Sequence, residues 1–146
     1  MSLKVMDGMR TLDGANYGLD IPPANYATGN TMNGAALDML DHFELIAIAQ
    51  AGVVVGTAVA TVVVQECDTS GGTYANVAGA SVVFTAAAES NLCKVIDVDW
   101  KHPDRKRYAR VQNVVSVANA AIIGVSSLRV QPKGGPMTKD TPVDET

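Results

Sequence analysis

The stretch "QECDTSGGTYANVAG", residues 65–79, decides how the chain is read, because it groups an acid, a thiol, hydroxyls and a Gly-Gly step. It is either a reactive loop or a turn between two strands. In the run leading into it, Val62, Val64 and Glu66 fall on one face and Thr61, Val63 and Gln65 on the other. That period of two is a strand buried on one or both faces up to its polar end. Asp68, Ser70, Gly71 and Gly72 then supply turn chemistry, since short polar side chains bond nearby amides and glycine accepts positive φ. Thr73 to Val77 resumes an extended chain, and Ala78-Gly79 turns again. A nucleophile here needs a base, and no histidine lies within about twenty residues in sequence. The stretch reads as a hairpin turn.

Working outward, strands are expected at 43–50, 58–66, 81–85, 94–99, 107–115 and 120–130, the last bent or split near Gly124. The run 44–64 reads as two strands around a Gly-containing turn. Single helical turns are expected at 35–41 and in "AAAESN" after Thr85. Short strands separated by turn signals, with no strong helix alternating with them, predict an all-β sandwich or barrel. A length of 146 residues suits one domain. The apolar excess is Val and Ala, with only two Phe, four Tyr and one Trp, a composition suited to thin, closely stacked sheets.

The ends differ from the middle. Residues 1–36 are rich in Gly, Asn, Thr and Pro without a sustained apolar period, and "DIPPANYATGNTMNGA" is expected to be extended, with Pro22 and Pro23 favouring a polyproline-like path. This predicts an extended N-terminal arm, either disordered or ordered by lying on something else. The β domain occupies 37–131, and "PKGGPMTKDTPVDET", 132–146, is expected to be a flexible C-terminal tail.

The net charge of -4 argues against general binding to phosphate backbones, so no direct nucleic-acid partner is expected. No apolar run reaches the roughly 20 residues of a membrane span, and no signal peptide is evident at the start. A soluble, cytoplasmically made chain is the expectation. Cys67 and Cys93 lack a zinc spacing and read as partly buried thiols, with a disulfide as the alternative. In "DVDWKHPD", Asp97, Asp99, His102 and Asp104 suggest a metal or acid-base pair, against the alternative of a solvated strand end and a Pro turn. No calcium loop or second histidine with ligand spacing accompanies them. "KHPDRKRYARV" concentrates Lys101, Arg105, Lys106, Arg107 and Arg110, a partner-contact patch or the charged guard of an edge strand. His42 reads as a surface or strand-end residue. With no phosphate loop or nucleophile elbow, neither a cofactor nor catalysis is expected.

Four stretches in order, "ALDMLDHFELIAIAQAG", "TVVVQECDTSGGTYANVAGA", "VIDVDWKHPDRKRYARVQ" and "AAIIGVSSLRVQP", resemble capsid decoration or cement proteins of tailed bacteriophages, over about residues 36–132. The chain departs from that form at Cys67, where Ser is more familiar, and at Tyr74, where Phe or Trp is. The resemblance implies a jelly-roll-like β domain, a homotrimer on the outside of the phage head, and the major capsid protein as partner. It makes the protein a head-stabilising clamp between capsid subunits, made in the host cytoplasm and located on the virion. The arm would supply contacts through Tyr17, Ile21, Pro22, Pro23 and Tyr26. The alternatives are another phage structural role, in the tail or connector, and a jelly-roll glycan-binding module, the latter poorly supplied with aromatic platforms. A small hydrolase built on Asp97, Asp99 and His102 comes last.

Overall fold

The computed structural model describes residues 15–27, 29–85, 87–116 and 120–130. Its regular elements are the strands β1 (Ala15–Tyr26), β2 (Thr31–Asn33), β3 (Leu37–Asp38), β4 (Glu44–Val54), β5 (Val59–Cys67), β6 (Ala75–Thr85), β7 (Cys93–Asp99), β8 (Tyr108–Val115) and β9 (Ala121–Val130), with one 3₁₀ turn at Ala87–Glu89. They form two antiparallel sheets. Sheet A runs β1-β9-β4-β7, and sheet B runs β2-β8-β5-β6 with β3 also on β8.

The pairings nest. β5 pairs with β6, β4 with β7, β2 and β3 with β8, and β1 with β9, as if one long hairpin had been drawn out with its tip between β5 and β6. Two further ladders, β4 with β9 and β5 with β8, roll that hairpin into a sandwich. This is a jelly roll. The stretch 65–79 is therefore the tip of the whole roll, joined by the pairs Gln65 with Asn76 and Glu66 with Ala75.

Alternation in the sequence builds the core. β4 turns Leu45, Ala47, Ala49 and Ala51 inward, and β8 turns Ala109, Val111, Asn113 and Val115 inward to meet it. Phe84, Ile21, Met39, Leu45 and Ile123 are the largest fully buried side chains among many Val and Ala. Trp100 closes one end: it is buried, and its Nε1 donates to the Lys106 carbonyl oxygen at 2.8 Å. Gly56, at φ 56°, makes the turn between β4 and β5.

Two expectations are corrected. Residues 15–26 are not an arm; they are β1, an edge strand of sheet A paired with β9 from Ala15–Val130 to Tyr26–Ala121. Pro22 and Pro23 sit where the ladder breaks register between Ile21 and Ala24, the place an edge strand tolerates residues without an N–H donor. The expected helical turn at 35–41 is replaced by β3, because Leu37 and Asp38 find Ala109 and Tyr108 on β8. The turn after Thr85 forms as expected. Residues 1–14 and the tail 132–146 lie outside the described residues.

Candidate interaction surfaces

The hairpin tip is a structural device. Between the pairs Val63–Ser81 and Gln65–Asn76, β5 advances two residues and β6 five, so Val77 to Ala80 bulge from the ladder, with Gly79 at φ 77°. Cys67 is buried under the turn and Cys93 is exposed; both are free thiols. The second turn expected at Ala78-Gly79 is this bulge.

The predicted basic segment is largely neutralised within the chain. Arg107 forks onto Asp38, with Nη2 at 2.7 Å and Nε at 3.1 Å, and this hydrogen bonding holds the Asp38 carboxyl below its usual range. Lys106 meets Asp68 at 2.7 Å, and Arg105 lies 3.5 Å from Glu66. Arg110 donates to Gln65 at 2.8 Å and stacks its guanidinium 4.3 Å from the Tyr74 ring centroid. Lys101 is exposed, with its ammonium 5.4 Å from the Phe43 ring. The guarded-edge alternative does not hold, because β8 has β5 on one side and β2 and β3 on the other. Arg105, Lys106 and Arg107 tie the loop between β7 and β8 to Glu66, Asp68 and Asp38.

The residues expected in the arm separate in space. Ile21 and Tyr26 are buried in the core cluster, and the Tyr26 hydroxyl donates to the Pro22 carbonyl oxygen. Neither is presented to a partner. Pro22 and Pro23 are exposed, while Tyr17 is placed by its backbone pairing with Leu128.

Asp97, Asp99, His102 and Asp104 are all exposed, on the end of β7 and the turn after it. His102 and Asp104 stand 3.5 Å apart, and the Arg105 N–H donates to the His102 carbonyl oxygen, closing the Pro turn. Among the described residues, no three His, Cys, Asp or Glu side chains gather in a way that could hold a metal ion. Asp97 and Asp99 do share a face with Glu44 of the neighbouring β4. Burial, then the Asp97 charge, pushes the Glu44 carboxyl above its usual range.

Both sheets present outer faces that the sequence reading did not single out. On sheet B an amide ladder crosses four strands. Gln112 donates to Asn33 at 2.8 Å, and Gln65 donates to Asn76 at 2.8 Å and to Gln112 at 3.3 Å. On sheet A the outward positions Leu19, Ile46, Ile48, Val95 and Leu128 are apolar and exposed or half-buried. The signal for the second was present in "ELIAIAQ", where Ile46 and Ile48 occupy the face opposite Leu45, Ala47 and Ala49. A strand covered on one side only would carry polar residues there.

No family model matches the sequence, and neither does any curated protein. Solved structures do match. The likeness is one of fold. PBSX exported protein XepA superposes with a TM-score of 0.59 at 14% identity, over 90% of this chain and 42% of the XepA chain. A chain of infectious bursal disease virus, Gx strain, gives 0.50 at 9% identity, over 84% of this chain and 32% of the viral one. The β-1,4-galactotriose complex of TmCBM61 gives 0.42 at 9% identity, over 86% and 93%. The chain thus spans less than half of the first two. Among the described residues no helix is long and apolar enough to cross a membrane.

Proposed function

We propose that the protein is a non-catalytic virion structural protein that binds the outside of a bacteriophage head and stabilises it by clamping neighbouring major capsid subunits as a trimer. The observation that carries this reading is how the polar groups are used. Glu66, Asp38, Asp68 and the cations from Arg105 to Arg110 are engaged in bracing the roll, while broad sheet faces stay open for contact. The jelly roll shared with a PBSX exported protein and a virus chain supports it, as does the resemblance of the four stretches to decoration proteins. A rigid body of this kind gains affinity by engaging a repeating lattice at several points, each contact weak alone.

The test is cosedimentation of the purified protein with expanded, undecorated heads of the parent phage. Binding that saturates at a fixed ratio to capsid subunits is expected, and a protein that stays in the supernatant removes the proposal. The arm contribution must be tested by deleting residues 1–14, because a cut at 36 would also remove β1 and β2.

A second reading, a glycan-binding module, is favoured by one observation, the amide ladder across sheet B. Gln65 is buried, but the exposed Asn33 and Asn76 and the half-buried Gln112 that it links are held in place to meet hydroxyl-rich ligands without needing to reorganise. Binding on a glycan array that is lost in Gln112→Ala, with no head binding, would favour it.

A further inference from the structure

The outer face of sheet A is organised in rows. The strand pairings put Leu19, Ser126, Ile48 and Val95 side by side across β1, β9, β4 and β7, with Leu128, Ile46 and Asp97 in the next row. Leu19 is 63% exposed and Val95 55%. Broken only by Ser126 on β9, this apolar strip spans the sheet, and soluble monomers seldom leave so large an apolar face uncovered. The strip ends in acid. One row further, Glu44 lies opposite Asp99, and Glu44, Asp97 and Asp99 line a cleft of about 320 Å³ with Phe43 and Lys101. Of those lining residues only Lys101 is a cation, so the carboxylates outnumber it.

We propose that this face is where the protein docks, and that it takes a protein surface with an apolar centre and a Lys or Arg at the edge that meets Glu44, Asp97 and Asp99. The inference rests on the virion reading above and adds to it which face binds and what chemistry the capsid side presents. Charge complementarity selects the occupant. Apolar burial supplies affinity, and the cation fixes register and relieves the repulsion within the acidic trio.

A second copy of this chain fits the face less well. A twofold axis along the strands sets the acidic level of one copy against the same level of the other. An axis across the strands sets it against the level of Gln50, Cys93 and Gly124. The first level supplies one cation, Lys101, against three carboxylates, and Gln50, Cys93 and Gly124 of the second supply none.

The test uses full-length protein and expanded heads of the parent phage assembled without it. Val95→Asp places a charge in the apolar strip, Asp97→Lys reverses the acid end, and Ser81→Asp is the control on the exposed outer face of sheet B. Val95→Asp and Asp97→Lys are expected to weaken head binding by roughly tenfold or more, and Ser81→Asp to bind like wild type. Leu19→Asp, at the far edge of the same row, repeats the first test should Val95→Asp fail to fold. Wild type and all variants binding equally overturns the face while leaving the virion role standing. A wild-type dimer dispersed by Val95→Asp also overturns it, in favour of a second copy. Wild type failing to bind heads removes both proposals together.

Discussion

The hairpin tip offers a prediction in which three glycines of one stretch behave differently for stated reasons. A Cβ on Gly72 would lie 2.5 Å from both the Cys67 sulfur and the Thr69 hydroxyl, where ordinary contact begins at 3.4 Å. Thr69 is exposed and can rotate away. Cys67 is buried in β5 and paired with Tyr108, so it or the turn must move by about 1 Å. Overpacking of that kind costs about 1–3 kcal/mol, which in a domain of this size lowers the melting temperature by roughly 2–4 °C per kcal/mol. Gly71→Ala meets nothing within 4 Å and should stay within about 0.5 kcal/mol of wild type. Gly79→Ala also meets nothing, but its φ of 77° disfavours a side chain by about 1–2 kcal/mol. Urea unfolding followed by the fluorescence of Trp100, the single tryptophan, measures all three. The decisive variant adds Cys67→Ala to Gly72→Ala. Removing the sulfur should recover about 1 kcal/mol relative to the sum of the single changes. Strict additivity, or a Gly71→Ala as damaging as Gly72→Ala, would refute the packing argument.

Three further outcomes are expected. Asn113 is fully buried, and neither amide atom finds a protein partner, so Asn113→Val should raise stability by about 1–3 kcal/mol in urea unfolding; a loss would show that the amide is satisfied. Burial holds the Asp20 carboxyl above its usual range against the lowering effects of Ser127 and Arg129, so the folded state binds that proton more tightly than the unfolded chain. Stability then declines as pH rises from the unfolded value of 3.8 through the folded one, and Asp20→Asn should flatten that decline, checked by melting temperature between pH 3 and pH 7. Glu89 goes the other way: hydrogen bonds from Lys94 and Thr85 hold its carboxyl down at about 2. Its contribution is present above the unfolded pKa of 4.5 and lost as pH falls toward 2, so Lys94→Met should melt less steeply with acid than wild type over that window.

Much of the fold was legible in the sequence because a half-buried strand writes its face into alternate residues. "ELIAIAQAG" and "YARVQNVV" show that period and became β4 and β8, β8 within a residue of the expected bounds and β4 running past the expected end at Gln50 to Val54. β1 was not legible. Its Gly18, Pro22 and Pro23 are poor strand formers, and it is held by a ladder to β9 about a hundred residues away. Sequence-local patterning does not register such a partner. The same limit hid the interaction surfaces. Leu19, Ile48 and Val95 are far apart in sequence and become neighbours only through the register of four strands, and the amides of Asn33, Gln65, Asn76 and Gln112 likewise. Conversely, Arg107 and Lys106 looked like partner residues because charge is visible in a sequence, whereas Asp38 and Asp68, which neutralise them, are brought in by folding.

The central claim is that this jelly roll is a head-binding virion protein. The measurement that tests it most directly is a cryo-EM reconstruction of the parent particle, compared with heads assembled without the protein. Density the size and shape of the roll is expected on the outer surface of the shell, at junctions between major capsid subunits, with sheet A facing the shell, and none is expected on the heads lacking the protein. A shell surface identical in the two maps, or roll density confined to the tail, would contradict it.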